Sequence, residues 1–177
     1  ESGALESDGS IRGNDNDANP RAFEPHYDRI AREDEVQIYE SIMVSPDSTV
    51  TTGLLEAIRF TKDNRILPDG FTKGEVPEDV AVQGRAFEDD DFTGSGDRVL
   101  YSVDVSDEEG PFNVQAELWY QPISFRWAHN LEQQDAEEID RFVRYYESMS
   151  GASGTILARA AAETTDGGSG REASRQP

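Results

Sequence analysis

The residues able to carry chemistry lie in a few short stretches. Asn14-Asp15-Asn16-Asp17, with Asp8 upstream, sets hard oxygen atoms close together. Calcium takes about six to eight such ligands from Asp, Asn and backbone carbonyls. The run lacks the EF-hand order and its closing bidentate Glu. Asn14, Asp15 and Asp17 are therefore candidate calcium ligands, while a series of Asx turns would spend the same side chains on their own backbone. Glu88-Asp89-Asp90-Asp91 poses the same choice between a solvated loop and a cation site. The two histidines are His26, in Glu24-Pro25-His26-Tyr27, and His129, in Arg126-Trp127-Ala128-His129-Asn130. An imidazole can ligate a metal or supply an axial ligand to a haem carried elsewhere. Neither histidine has a second ligand at zinc spacing, so zinc is unsupported, and a hydrogen-bonded structural histidine is the alternative at both places.

Other chemistries are missing. With no cysteine, the chain by itself has no disulfide, thiolate nucleophile, iron–sulfur cluster or covalent C-x-x-C-H haem. There is no G-x-S-x-G elbow, P-loop or dinucleotide fingerprint; Gly94-Ser95-Gly96 lacks the third glycine. Among 37 Asp and Glu some pair always looks suggestive, and spacing alone qualifies none. Catalysis by the chain alone is not expected. Trp119, Tyr120, Phe125 and Trp127 can stack on sugar rings or pack across strands.

These stretches need a framework. Sixteen Lys and Arg against 37 acids give a net charge of −21 over 177 residues, with 35% apolar residues. That balance argues against binding nucleic acid, where clustered cations must neutralise phosphate, and against anionic lipid. No apolar run approaches the roughly 20 residues of a membrane-spanning helix. The start at Glu1, without Met or a leader, reads as a cut through something longer or a processed end.

Turn-forming combinations make residues 1–35 loop-rich. Residues 36–131 read as an antiparallel, Ig-like β-sandwich in a mainly β fold. Its expected strands are Val36–Val44, Val50–Phe60, a short Val80–Val82, and a hairpin of Val99–Val105 with Phe112–Tyr120, where apolar residues alternate. Lys62–Phe71 reads as an irregular loop. Residues 132–163 predict helices: Ile139, Phe142, Val143 and Tyr146 form one apolar stripe, Asp135 and Glu138 offer a cap, and Gly151 and Gly154 separate a second helix over 155–163. The Gly- and Ser-rich residues 164–177 predict a disordered tail.

Several stretches resemble one bacterial family. They are Glu1-Ser2-Gly3-Ala4-Leu5 with Asp8-Gly9-Ser10-Ile11, Gly13-Asn14-Asp15-Asn16-Asp17, Phe23-Glu24-Pro25-His26-Tyr27 and Val36-Gln37-Ile38-Tyr39-Glu40. Lys62-Asp63-Asn64-Arg65-Ile66-Leu67-Pro68 and Leu118-Trp119-Tyr120-Gln121-Pro122-Ile123 follow. Together, over roughly residues 1–160, they resemble the C-terminal β-domain of extracytoplasmic multihaem c-type cytochromes. The family's haem-binding motifs lie upstream of that domain, and this chain has none of them. The resemblance implies a periplasmic or extracellular chain that packs on haems held upstream or by a partner chain, with His26 as the axial-ligand candidate; His129, outside the resembling stretches, is the weaker candidate by residue type alone. The resemblance also implies docking to electron-transfer partners in a larger assembly. A secreted, calcium-stabilised module that binds polysaccharide or protein is the alternative.

Overall fold

The computed structural model describes residues 3–19 and 21–164, except for the side chains of Asp17 and Ala18. The expected tail lies outside them from residue 165 onward, as does the Asp17 carboxylate. Strand accounts for 23% and helix for 21%, so the class is mixed α/β. The described strands form three small sheets, not a clear two-layer sandwich.

Two units are present. The first takes Glu1–Val103 and Pro122–Ser153, and the second Asp104–Gln121 and Gly154–Pro177. In the first unit β1 (Arg29–Ile30), β2 (Ser41–Val44), β3 (Val50–Thr51), β4 (Arg59–Asp63) and β5 (Leu100–Tyr101) are linked by loops and by α1 (Arg85–Glu88). After the interruption by the second unit's β6 (Asn113–Tyr120), the first resumes with α2 (Phe125–Leu131) and α3 (Glu137–Ser153). The last described element of the second unit is β7 (Thr155–Glu163).

The central sheet has the order β3-β2-β4, all antiparallel. Ile42 and Val44 point to its buried face, as strand alternation requires. Between β2 and β4 the register shifts, so that Ile42 faces Lys62 but Met43 faces Phe60. This bulge at Thr61 breaks the alternation and leaves both Lys62 and Asp63 buried. The small core beside it holds Val82, Ala86 and Phe92, with Tyr39, Leu67 and Phe71 packed against them.

Local pattern and tertiary pairing part company at several places. Val36–Glu40 is irregular, with the Asn64 amide donating to the Glu40 carbonyl at 3.2 Å, and only Ser41–Val44 of that stretch is strand. The Val50–Phe60 strand is interrupted by a turn at Leu54–Glu56, closed by the Glu56 and Ala57 amides donating to the Gly53 carbonyl. The expected Val80–Val82 strand is instead a single 3-10 turn, Glu78–Val80, leading to a one-residue bridge between Asp63 and Gln83. The expected hairpin does not form: Leu100–Tyr101 pairs in parallel with Arg29–Ile30, and β6 pairs along its length with β7. The stretch expected as a second helix is therefore a strand. Its alanines favour helix locally, but pairing satisfies one whole edge of β6, and that outweighs a few tenths of a kcal/mol per residue.

Helix α3 follows its pattern, with Tyr146 and Ser150 buried and Ile139, Phe142 and Val143 half-buried. It runs through Gly151 to Ser153 instead of stopping. A side chain at Gly151 would sit 2.8 Å from Ser7 Cα, and the Gly151 amide donates to the Ser7 carbonyl at 3.2 Å. Gly151 is thus a close-approach glycine within the helix, not its end. Gly13 is needed for two reasons: its φ is +83°, and a Cβ there would lie 2.3 Å from the Glu33 carbonyl oxygen.

Candidate functional site

His26, 3% exposed, is the centre of a buried polar cluster in the first unit. It stands on the loop before β1, beneath Phe92, whose ring centroid is 4.9 Å away. The irregular stretch 36–40 brings Gln37 and Tyr39 to it, the end of β4 brings Asn64, the end of α1 brings Asp89, and the turn closed by the Thr93–Gly96 bridge brings Asp97.

The partners fix the imidazole. Asn64 Oδ1 accepts from the Glu40 amide at 2.9 Å, so its Nδ2 must be the atom facing the Ile38 carbonyl and His26 Nδ1, each at 3.0 Å. Gln37 Oε1 accepts from the Tyr27 amide, which turns its Nε2 to His26 Nδ1, also at 3.0 Å. Both amides donate to Nδ1, so Nδ1 is an acceptor and the ring proton sits on Nε2. Nε2 donates to Asp89 Oδ2 at 3.1 Å, with Asp97 Oδ2 at 3.9 Å. Asp97 Oδ2 also accepts from the Tyr39 hydroxyl at 2.6 Å, and burial together with that carboxylate raises the Tyr39 phenol well above its ordinary range.

His26, Asp89 and Asp97 offer three ligand atoms within 4.8 Å of one another, enough for a metal ion by distance. The donor set does not fit one in this arrangement. A cation on Nε2 displaces the proton to Nδ1, where two backbone-anchored amide NH2 groups already point. Haem ligation meets the same geometry: both ring nitrogens are engaged, and access to Nε2 requires the Asp89 loop to move.

A second set of charges lies on the same network. Lys62 Nζ donates to the Ile38 carbonyl at 2.9 Å and to Glu40 Oε1 at 3.0 Å. Burial lowers the Lys62 ammonium pKa, while Glu40 first and Glu24 next pull it back up. Glu24, 1% exposed, accepts from Asn16 Nδ2 and, at 2.7 Å, from the Tyr27 hydroxyl. Asn16, Glu24, Tyr27, Gln37, His26, Asn64, Glu40 and Lys62 are thus linked by one chain of hydrogen bonds.

The other candidates stay apart from it. Asn14 is buried and its Oδ1 has no hydrogen-bond partner among the described residues; Asp15 is exposed. Asp8 is committed to the Ser10 hydroxyl at 2.7 Å and the Ser10 amide at 3.0 Å, which lower its pKa. His129 lies on α2, stacks on Phe125 at 5.4 Å and faces Glu132 at 3.4 Å. Of the acidic loop, Asp89 turns inward to His26, while Asp91 accepts from the Arg98 amide. Sequence reasoning did not single out Gln37, Tyr39 or Asp97 as partners of His26. Period-two spacing of Gln37 and Tyr39 was the available sign that both face one side.

Asp89 carries a measurable consequence. Burial alone would raise its carboxyl pKa, but the Asp91 amide, the His26 hydrogen bond and the Phe92 amide outweigh that and hold it below the usual 3.8. A carboxylate with a depressed folded pKa stabilises fully above 3.8 and loses that contribution as pH falls through the folded value. Asp89→Asn should therefore melt lower than the parent at neutral pH, and the gap should close on acidification. Melting temperatures between about pH 6 and pH 2 check this; a gap independent of pH would refute it.

Comparison with protein families, with curated proteins and with solved structures finds no match for this chain.

Proposed function

We propose that the chain is the non-haem domain of an extracytoplasmic multihaem cytochrome assembly, supporting electron transfer by packing against the haem-bearing chain and docking its partners. One observation carries this reading. Four of the stretches that resemble that family (13–17, 23–27, 36–40 and 62–68) meet in the single network built around His26 and Lys62. The resembling residues thus have one shared physical role, which is to tie loops into a scaffold. Their polar atoms are spent on one another, which suits a domain that works through its surface. The haem belongs to an upstream region or a partner chain. A β-sandwich belongs to the same proposal: both faces of the β6–β7 ribbon are largely exposed, a two-stranded ribbon is marginal alone, and further strands of the assembly would add to it.

The test is a visible spectrum of material from the native source, with intact masses of every co-purifying chain. A Soret band with a haem-bearing mass is the expected result. A colourless sample of this chain alone would overturn the proposal.

A second reading, a secreted calcium-stabilised recognition module without redox role, is favoured by the buried Asn14 oxygen that lacks a partner among the described residues. Asn14 and Asp15 would be its ligands here. On that reading calcium at about 100 times its dissociation constant stabilises the chain by about 2.7 kcal/mol, and Asn14→Ala abolishes the gain. An unchanged melting temperature at millimolar calcium would dismiss it.

A further inference from the structure

We propose that the turn Leu54–Ile58 and the cleft beside it are a docking surface for a basic, amphipathic segment of a partner protein. This names the surface for the docking role above and rests on that reading. The turn is held firmly: the Gly53 carbonyl accepts from the Glu56 and Ala57 amides, the Ile58 amide donates to the Val44 carbonyl at 2.9 Å, and the Gly53 amide donates to Thr51 Oγ1 at 3.0 Å. On it Leu54 is 70%, Leu55 103% and Ile58 59% exposed. Flexible loops can fold such side chains away, but this one is hydrogen-bonded in the conformation that displays them. Beside it a cleft of about 600 Å³ has Met43, Ala57, Ile58 and Phe60 as its apolar lining and Glu78 and Asp79 as its acidic lining, with Arg59 and Gln83. Its size and its mix of apolar surface with a few charges suit one or two large side chains of a partner.

Charge selects the occupant. Glu56 stands on the turn, and Glu78 and Asp79 outnumber the one cation, Arg59, in the lining of the cleft, on a chain of net charge −21. In a contact between two copies about a two-fold axis, this patch would meet its own acids. Anionic lipid is repelled likewise. A segment carrying Leu- or Phe-type side chains flanked by Lys or Arg satisfies both the apolar and the acidic parts.

The probe is a synthetic Leu/Lys amphipathic peptide of about 14 residues, long enough to form a helix when bound, titrated into the 15N-labelled chain. A Leu/Glu peptide of the same pattern and a shuffled Leu/Lys peptide are the controls. Expected are amide shifts confined to residues 53–60 and 78–83, with at least tenfold weaker binding for Leu55→Asp. Glu78→Lys/Asp79→Lys should reverse the preference toward the Leu/Glu peptide. Leu55 is fully exposed, so its variant keeps the fold, and an unchanged amide spectrum away from the turn confirms it. Equal binding of both peptides, shifts confined to other residues, or an unaffected Leu55→Asp variant would overturn the proposal. So would a Leu55-dependent dimer in sedimentation or Leu55-dependent binding to anionic vesicles. A colourless native preparation with the footprint intact would remove the haem reading and leave this surface; a haem-bearing complex unaffected by Leu55→Asp would do the reverse.

Discussion

Lys62→Met should destabilise the chain by about 1–3 kcal/mol, because it leaves Glu40 and the Ile38 carbonyl without the ammonium that donates to both. Lys62 is 2% exposed and sits where the bulge at Thr61 turns it inward. Met fills nearly the same volume, so the loss is one of hydrogen bonding: Glu40 Oε1 and the Ile38 carbonyl lose a donor, while the cost of burying the ammonium is relieved at the same time. Glu40→Gln should cost less, since an amide oxygen still accepts from the ammonium and Glu24 still compensates it. The double variant should be less destabilised than the sum, by about 0.5–3 kcal/mol, as for residues in one network. Urea unfolding of the four proteins gives these numbers. The pH dependence has a definite sign. Burial, the largest effect, places the folded pKa of Lys62 below 10.5, so the unfolded chain holds that proton more tightly. The contribution of Lys62 to stability therefore rises as pH climbs from the folded pKa toward 10.5 and is flat above it, and Lys62→Met removes that slope. Equal stability of the parent and the Lys62→Met variant would mean the cluster is not closed as described.

His26→Ala should cost about 3–5 kcal/mol in the isolated chain, with no haem and no metal present. The imidazole fills the space between Phe92 and Tyr39, and its removal leaves a cavity there. It also leaves the Asn64 and Gln37 amide groups without their shared acceptor and Asp89 Oδ2 without its donor. A histidine that acted only as a ligand would cost little when removed from the ligand-free chain. Denaturant midpoints of parent and variant separate the two roles: a loss below about 1 kcal/mol would indicate a surface-type histidine.

What could be read from the sequence followed a physical divide. The stripe of Ile139, Phe142, Val143 and Tyr146 is a local signal, and α3 forms where that signal lies. Alternation marked Phe112–Tyr120 as a strand for the same reason, yet it could not name the partner. Pairing is decided by non-local contacts, which is why β6 joins the alanine-rich β7 and Leu100–Tyr101 joins β1. Gly151 looked like a stop because nothing in the sequence says that Ser7 packs against it. At the site, His26 and the acidic run at 88–91 were recognisable as chemistry-bearing types. That Asp89 alone of the run turns inward, and that Asn64 and Gln37 orient the ring, depends on backbone amides far along the chain. The role of Lys62 was hidden by a single-residue bulge that sequence periodicity cannot place.

His26 belongs to a closed scaffold, with its proton on Nε2 and its Nδ1 an acceptor, and the proposed role of the chain is accordingly through its surface. The most direct measurement is the 15N spectrum of the His26 imidazole in the purified chain, recorded alone and with added calcium, zinc and haem. The expected spectrum shows a protonated, pyrrole-type Nε2 and a pyridine-type Nδ1, unchanged by any of the three. A protonated Nδ1, or a His26 Nε2 signal that shifts on addition of metal or haem, would contradict it and make His26 a ligand.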